Sequence, residues 1–213
     1  MSIHVRLPET EKAGEKSSFA ELLFPRGPNS HSHFYPAGAE IYGQGERAGS
    51  LYLIEFGSVR VYRLLEDGRR QISAFHVSGE VFGFEADAEH HFFAEAIGAT
   101  KVRILKSCSG QDAAILPLAL KSLVRAQEHL LVLGRQSAAE RISAFLLDMA
   151  DRQGGLESFE LQMSRTDIAD YLGLTIETVS RLLSKLKLKG IIRLPTLRTV
   201  EIVNWFALRA AAV

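Results

Sequence analysis

Residues 164–190 read SRTDIADYLGLTIETVSRLLSKLKLKG, and this stretch decides how the C-terminal part of the chain folds. Ser164 and Asp167 have the S-x-x-D spacing of a capping box, which predicts that a short helix begins there. Gly173 ends that helix, because glycine readily adopts the left-handed conformation that a tight turn requires. Thr175 can cap a second, longer helix. The stretch therefore predicts a helix-turn-helix.

The side chains of this motif divide into an inward and an outward set. Ala169 is small enough for the two helices to approach closely, and Val179 points back into the core. The other apolar residues expected to face the core are Ile168, Leu172, Leu174 and Leu182. The second helix is expected to end near Lys189. The residues left facing outward on it are Ile176, Glu177, Ser180, Arg181, Ser184 and Lys185.

The outward side chains carry chemistry that suits double-stranded DNA. Helix-turn-helix proteins place the N-terminal part of the second helix in the major groove. Arg181 can donate two hydrogen bonds to guanine, and Glu177 can accept one from cytosine N4. Ser180 can contact several bases and carries less sequence information by itself. The predicted DNA-binding residues are Ser164, Arg165, Thr175, Ile176, Glu177, Ser180, Arg181 and Lys185.

The formal net charge of the chain is zero, so composition alone does not indicate a nucleic-acid partner. The charge is unevenly distributed, because every charged residue between Arg181 and Val200 is basic. These residues are Arg181, Lys185, Lys187, Lys189, Arg193 and Arg198. Such a patch favours binding to phosphates, which releases counterions. The apolar segments after Gly190 flank Pro195 and predict a β-wing, with Arg193 and Arg198 near its tip.

The N-terminal half of the chain has a different pattern of apolar residues and glycines. Short apolar or alternating segments lie at 40–42, 51–55, 58–65, 69–76, 80–82 and 102–105, with glycines between or beside them. Closely spaced short strands of this kind predict an antiparallel jelly roll, or β-roll. Glu66-Asp67-Gly68 predicts a hairpin turn, because Asp-Gly tolerates positive φ angles. We assign residues 21–110 to this β domain and the polar residues 1–20 to a flexible tail.

Residues 111–136 predict one long helix that also forms a dimer interface. Its apolar positions alternate at spacings of four and three, as in a coiled-coil seam, and they are Ala119, Leu123, Ala126, Leu130 and Leu133. The alternative is a helix that packs only on its own β domain. A second helix is expected over 138–152, with Gly134 as the hinge. Residues 137–213 then form a winged helix-turn-helix domain, and the fold class is α+β.

A β-roll, a long helix and a winged helix-turn-helix with ETVSR at 177–181 resemble the CRP/FNR family of bacterial regulators. DIADYLGLTIETVSR at 167–181, and GEVFGFEA at 79–86 followed by AEAI at 94–97, resemble the FixK-like branch. The resemblance implies a cytoplasmic homodimer that recognises an inverted repeat of the TTGA…TCAA kind. It also implies an activator that works with RNA polymerase at genes for low-oxygen respiration or nitrogen fixation. Like that branch, the chain lacks the N-terminal iron–sulfur cysteines of FNR.

The β domain departs from the cyclic-nucleotide binders of that family. Those proteins hold the cyclic phosphate with a Gly-Glu segment followed by Arg-Ser/Thr. Here Gly79-Glu80 is followed by Val81-Phe82, and Phe92-Phe93-Ala94-Glu95 stands where the arginine is expected. An acid and two aromatic rings make a poor phosphate cradle. We therefore expect no cyclic nucleotide to bind.

Several histidines and Cys108 are candidates for metal or cofactor chemistry. His31 and His33, placed before the roll, and the pair His90-His91 are expected to be exposed loop residues. A single cysteine cannot form an internal disulfide or a multi-cysteine metal site, so Cys108 is interpreted as a structural thiol. We expect no metal and no cofactor.

Two other functions stay open at this point. An effector-gated regulator of the same fold would hold haem or an unknown small ligand in the β-roll. An enzyme of the cupin type would need a His/His/Glu-type metal set, but the predicted strands offer only His76. We therefore predict a regulator and not an enzyme. The sequence shows no apolar stretch typical of a signal peptide or a membrane span, which predicts a soluble cytoplasmic protein with no membrane partner.

Overall fold

A computed structural model describes residues 31–106, 112–135 and 137–212. In these residues the chain forms a β domain, a long helix and a winged helix-turn-helix, in that order. The predicted α+β class and architecture are therefore confirmed. The predicted tail at 1–20 and Cys108 lie outside the described residues.

Antiparallel strands in two four-stranded sheets build the β domain. Their bounds are β1 Ser32–Tyr35, β2 Glu40–Tyr42, β3 Ser50–Phe56, β4 Ser58–Leu64, β5 Arg70–Val77, β6 Val81–Phe82, β7 Phe93–Ala96 and β8 Thr100–Lys106. One sheet has the order β1-β8-β3-β6 and the other has the order β2-β7-β4-β5. Because most neighbouring strands are not consecutive along the chain, the two sheets wrap around each other as a jelly roll.

Alternating side chains from the strands fill the β domain, and the hairpin β4–β5 extends from it. The core consists of Tyr42, Ile54, Val59, Val61, Phe82, Ala94 and Val102. The predicted turn at 66–68 closes the hairpin, where the N–H of Leu65 donates to the carbonyl of Arg69 at 2.8 Å. Gly68 takes a φ of 78°, as the Asp-Gly pattern predicts. The hairpin is therefore positioned by the sheet and shaped by its turn.

Strands β1 and β7 are not predicted by the sequence pattern. β1 is largely exposed and has no apolar alternation, although His33 pairs with Val102 in it. β7 does alternate, but its buried residues are Ala94 and Ala96, whose small side chains give a weak apolar signal. The interpretation that places His33 before the roll is therefore wrong. It follows that His76 does not stand alone as a histidine on a strand of the β domain.

The interpretation of His90 as an exposed loop residue is also wrong. Its side chain is 1% exposed and stacks on Tyr42, with the ring centroids 3.6 Å apart. Its Nδ1 lies 3.2 Å from a carboxylate oxygen of Glu85. His91 is exposed as expected, and its Nε2 lies 2.8 Å from Asp87. The described residues contain no group of three or more histidine, cysteine or acidic side chains that could hold a metal ion.

The helices of the described chain follow the β domain. Their bounds are α1 Asp112–Leu133, α2 Ala138–Arg152, α3 Arg165–Leu172, α4 Ile176–Leu188 and α5 Trp205–Ala210. The first two confirm the helices expected at 111–136 and 138–152, with Gly134 between them. α1 packs on the β domain through Leu118, which is buried together with Leu53, Val81 and Leu105. No helix of the described part is long and apolar enough to cross a bilayer.

Glu80 joins the β domain to the first two helices. Its carboxylate lies 2.8 Å from a terminal nitrogen of Arg125 on α1 and 2.8 Å from one of Arg152 on α2. His76 lies 3.7 Å from the same carboxylate. Burial by itself would raise the pKa of Glu80. The nearby His76 and the charges of Arg152 and Arg125 outweigh burial and hold that pKa well below its usual range.

The C-terminal domain packs around one apolar core. A small sheet of β9 Ser158–Glu160, β10 Ile192–Arg193 and β11 Thr199–Ile202 completes it in the order β10-β11-β9. β10 and β11 are the predicted wing, whereas β9 and α5 are not predicted, since β9 is short and buries only Phe159. The same core includes Ile72 and Phe75 of β5. The C-terminal domain is therefore docked on the β4–β5 hairpin.

Replacing Glu80 tests the ionic cluster that holds α1 and α2 on the β domain. We expect Glu80→Gln to lower the free energy of unfolding by about 3 kcal/mol, because it removes the buried carboxylate between Arg125 and Arg152 and leaves Arg152 with the partly exposed Asp148. Urea unfolding measures the loss. The matched control is Glu201→Gln, whose partner Arg193 lies 3.8 Å away and is 73% exposed. The control should cost less than about 1 kcal/mol; equal losses would contradict the role given to Glu80.

Candidate nucleic-acid interface

Helix α3 begins with the predicted capping box. The hydroxyl of Ser164 accepts a hydrogen bond from the N–H of Asp167 at 3.0 Å. The carboxylate of Asp167 accepts one from the N–H of Ser164 at 3.0 Å and one from its hydroxyl at 2.8 Å. Two backbone N–H groups that the helix itself cannot satisfy are thus paired. The cap fixes the direction in which α3 leaves the preceding loop.

The turn between α3 and α4 depends on Gly173, which has a φ of 62° and a ψ of 42°. α4 then starts after Thr175, whose hydroxyl accepts from the N–H of Thr178 at 3.3 Å. Of the residues expected in the core, Ile168, Ala169, Leu172 and Val179 are buried, and Leu174 and Leu182 are half-buried against the same core. Leu183 and Leu186, which are not among the predicted core residues, are also buried on the inner face of α4.

The outer face of α4 is open to solvent. The exposed residues of the predicted set on this helix are Ile176, Glu177, Ser180, Arg181 and Lys185. The hydroxyl of Ser184 donates to the carbonyl of Ser180 at 2.9 Å, so it is used within the helix. In the described chain no ion pair joins Glu177 to Arg181. Both side chains therefore remain available to a ligand on this face.

The remaining predicted residues lie at the two helix starts. Ser164 and Thr175 are exposed, and their hydroxyls serve as helix caps. Arg165 is half-buried, and burial lowers the pKa of its guanidinium. One of its terminal nitrogens is enclosed and has no hydrogen-bond partner within the described residues. A buried donor without an acceptor costs free energy, which a rotation of this side chain toward a phosphate would relieve.

Basic side chains extend from α4 into the wing. The exposed members are Lys185, Lys187, Lys189, Arg193 and Arg198. Arg198 follows a turn in which the hydroxyl of Thr196 accepts from its backbone N–H at 3.1 Å. Arg193 on β10 lies 3.8 Å from Glu201 on β11, a loose and exposed pair. The positive charge beside the outer face of α4 is therefore accessible to an anionic polymer.

An apolar stripe on α1 is the other exposed feature of the fold. Within the predicted seam, Leu123 and Leu130 are 54% and 66% exposed, and Ala126 is exposed as well. Ala119 and Leu133 are half-buried. The stripe is completed by Leu116, Leu120, Val124 and Leu131, each at least half exposed. An apolar stripe that its own chain leaves uncovered is typical of a protein–protein interface.

Comparisons with known proteins match both halves of the chain. Residues 32–107 match the family model of a cyclic nucleotide-binding domain, and residues 140–211 match that of a Crp-like helix-turn-helix domain. The chain is 53% identical to the nitrogen fixation regulation protein FixK of Rhizobium meliloti (strain 1021), over 83% of this chain and 84% of that protein. FixK of Azorhizobium caulinodans is 44% identical, over 80% and 75% of the two chains.

A solved structure agrees with these sequence matches. The structure of FixK2 from Bradyrhizobium japonicum is similar to this chain with a TM-score of 0.80 and 41% identity. The similarity covers 86% of this chain and 98% of that one. It therefore includes both the β domain and the helix-turn-helix.

The β domain matches a family model described by a cyclic nucleotide, and the charges around its cavity bear on such a ligand. A cavity of about 330 Å³ lies between the β domain and the helices, and the cations in its lining are Arg125 and Arg152. Both are paired with Glu80. The histidines of the lining are neutral near pH 7, because burial lowers the pKa of His76 and lowers that of His129 to about 4. Within the described lining, no cation is left to hold a phosphate.

Gly173→Ala tests whether the turn of the motif needs a left-handed residue. An alanine at this φ should cost about 1–2 kcal/mol of unfolding free energy, the usual strain of an L-residue in that conformation. The added Cβ itself would meet only the guanidinium of Arg141, at 3.7 Å. Gly98→Ala is the matched control, since its Cβ would meet open space at an ordinary φ. Thermal unfolding of both variants gives the comparison, and a Gly173 variant as stable as the control would refute the assignment.

Proposed function

Since the chain belongs to the CRP/FNR family of DNA-binding transcription regulators, we propose that it binds an inverted repeat of the TTGA…TCAA kind as a homodimer. It acts in the bacterial cytoplasm as an activator that contacts RNA polymerase. Its targets are genes for low-oxygen respiration or nitrogen fixation, which the names of its relatives support. The observation that carries the proposal is the exposed outer face of α4 with Glu177, Ser180 and Arg181.

Base reading rests on the first turns of α4. The N-terminal part of a recognition helix enters the major groove, and these residues occupy that part of α4. Arg181 donates two hydrogen bonds to guanine, Glu177 accepts one from the exocyclic amine of cytosine, and Ser180 contacts a neighbouring base. Ile176, 42% exposed at the first position of the helix, offers an apolar surface to a thymine methyl group.

Phosphate contacts orient the motif on the duplex. Ser164 and Arg165 at the start of α3 and Thr175 at the start of α4 face one backbone, where helix N-termini favour anions. Lys185 and the basic residues toward the wing follow the same groove edge. The unpaired nitrogen of Arg165 supports this placement, because a phosphate would supply the acceptor that it lacks.

Dimerisation rests on the apolar stripe of α1. The helix has 22 residues, and at about 1.5 Å per residue it is long enough to hold all the seam positions on one face. Its exposed leucines bury each other when two copies align. The seam is centred on Leu123 and Leu130, with Ala119, Ala126 and Leu133 on one flank and Leu116 and Leu120 on the other. Two-fold symmetry of this seam matches the two-fold symmetry of an inverted repeat.

The proposal requires no small-molecule effector and no cofactor. The capping box, the turn and the exposed reading face are all formed in the chain itself. The arginines beside the β-domain cavity pair with Glu80, and Arg152 also pairs with Asp148. DNA occupancy is then set by the abundance of the protein. Its relatives regulate transcription, and we assign no catalysis to the chain.

Arg181→Ala tests base reading. The variant should lose about 1–3 kcal/mol of binding free energy on a TTGA…TCAA duplex, the usual contribution of a bidentate guanine contact. On random DNA the loss should be smaller, because only the phosphate term remains. Selection from randomised half-sites measures the preferred sequence. Lys189→Ala is the matched control, which should weaken all sequences similarly. If both variants select the wild-type sequence, Arg181 does not read bases.

Charged residues in the seam test the dimer. We expect the double variant Leu123→Glu, Leu130→Glu to sediment as a monomer and to bind a full site weakly, because the seam would bury two carboxylates per subunit. Sedimentation velocity gives the mass. The control is Leu64→Glu, Leu156→Glu, which adds the same charge at exposed leucines outside α1. A seam variant that stays dimeric would place the interface elsewhere.

A further inference from the structure

An ionic cluster joins the β4–β5 hairpin to the helix-turn-helix, and we propose that Arg60 and Arg70 in it position the reading helix for a defined half-site spacing. They are positioning residues that act on DNA through α3 and do not touch it. The inference rests on the proposed function, because spacing has meaning only for a dimer on an inverted repeat. It adds a spacing determinant that lies in the β domain and outside the DNA-binding domain.

The contacts of the cluster are short and directional. Arg60 on β4 places one terminal nitrogen 3.2 Å and 3.3 Å from the two carboxylate oxygens of Asp167, and its other terminal nitrogen pairs with Glu95. Arg70 on β5 lies 2.6 Å from Asp167, and two of its nitrogens lie 2.8 Å and 3.1 Å from Asp170. Charge-assisted, forked contacts of this kind restrict orientation as well as distance.

Asp167 links this docking to the helix start. Its Oδ2 accepts from the N–H and the hydroxyl of Ser164, while its Oδ1 accepts from Arg60 and Arg70. The side chain is only 4% exposed, so water competes little for these contacts. One carboxylate thus caps α3 and binds the hairpin. A rotation of α3 relative to the β domain must break contacts on one side of that carboxylate.

Two further contacts hold the next turn of α3. The side-chain amide of Gln71 donates to the carbonyl of Asp170 at 2.9 Å. Tyr171 packs on Phe75 of β5 at 4.9 Å between ring centroids and stacks on His129 of α1 at 3.8 Å. Apolar contacts hold α3 against the hairpin but restrict its rotation weakly. The arginines supply the directional part.

The docked orientation leaves the reading face open, since Glu177, Ser180 and Arg181 are exposed in it. Each reading helix of a dimer must enter its half-site at a centre-to-centre distance of about 34–36 Å, or a multiple of it. A helix-turn-helix domain that is held rigidly on the β domain binds well to sites with one half-site spacing and binds poorly to sites with other spacings. A helix-turn-helix domain that is no longer held by the arginines would adapt to other half-site spacings and would keep its base preference.

The test compares Arg70→Ala with Arg69→Ala in the full-length chain. Arg69→Ala is the matched control, because it removes the same charge one residue away. The Arg69 side chain is 78% exposed, and its ion-pair partner within the described residues is Asp67. Affinities are measured for the inverted repeat at its preferred spacing and with one or two base pairs inserted or deleted. We expect Arg70→Ala to reduce the ratio between preferred and altered spacings by about tenfold, or about 1.4 kcal/mol. Arg69→Ala should keep the wild-type ratio.

Two further variants separate positioning from folding. Asp170→Asn weakens the cluster from the other side without touching the capping box, and it should also relax the spacing preference. The conservative variant Arg70→Lys, which keeps a cation near both Asp167 and Asp170, should retain more of the preference than Arg70→Ala. Half-site preference, measured by selection, should stay as in wild type for all three.

The outcomes distinguish the two proposals. A wild-type spacing preference that survives both Arg70→Ala and Asp170→Asn overturns the positioning role and leaves the dimer proposal intact. A uniform loss of affinity at every spacing also overturns it, because it would reflect stability or charge alone. A wild type that binds one half-site as well as the full repeat overturns the homodimer proposal, and the spacing inference with it.

Discussion

The buried carboxylate of Asp167 is the constraint on which the docked structure depends. A charge removed from water must be compensated by hydrogen bonds and opposite charge, or the fold loses several kcal/mol. Here the start of α3 supplies part of the compensation through Ser164, and the β domain supplies the rest through Arg60 and Arg70. Neither domain satisfies Asp167 alone. Seating the helix-turn-helix on the hairpin thus gives Asp167 the partners that its burial requires, and this seating determines where the reading face points.

Glu80 plays the corresponding part on the other side of the hairpin. It lies where the β domain approaches α1 and α2, and it pairs with one arginine from each helix. Aromatic residues line the adjacent cavity, and the two arginines in the same lining already pair with Glu80. Ion pairs within the chain thus join the β domain to α1 and α2. The same pairs that hold the domains together remove the positive charge that an anionic effector in the cavity would need.

The helix-turn-helix could be predicted from 164–190 because its signals are local: a capping box, a glycine in the turn and an N-cap threonine all act within a few residues. The docking could not be predicted, because Arg60 and Asp167 are 107 residues apart and no local sequence pattern indicates that they are in contact. The exposure predicted for His90 is wrong for a related reason. Its burial depends on stacking against Tyr42 from a distant strand, whereas its own neighbourhood is polar. Local pattern thus predicts elements and their exposed chemistry, and long-range pairing decides which polar residues become interior.

The uneven distribution of charged residues explains how a protein with no net charge can present a basic surface. Glu80, Asp167 and Asp170 are held by arginines of other elements, so their negative charge is cancelled inside the molecule. The segment from Arg181 to Arg198 has no acidic residue, and its cations are exposed. Screening limits electrostatic interactions to about 8 Å at physiological ionic strength, so a phosphate at α4 responds to these near charges and not to the sum over the chain. A neutral composition is therefore compatible with steep, salt-dependent binding to DNA.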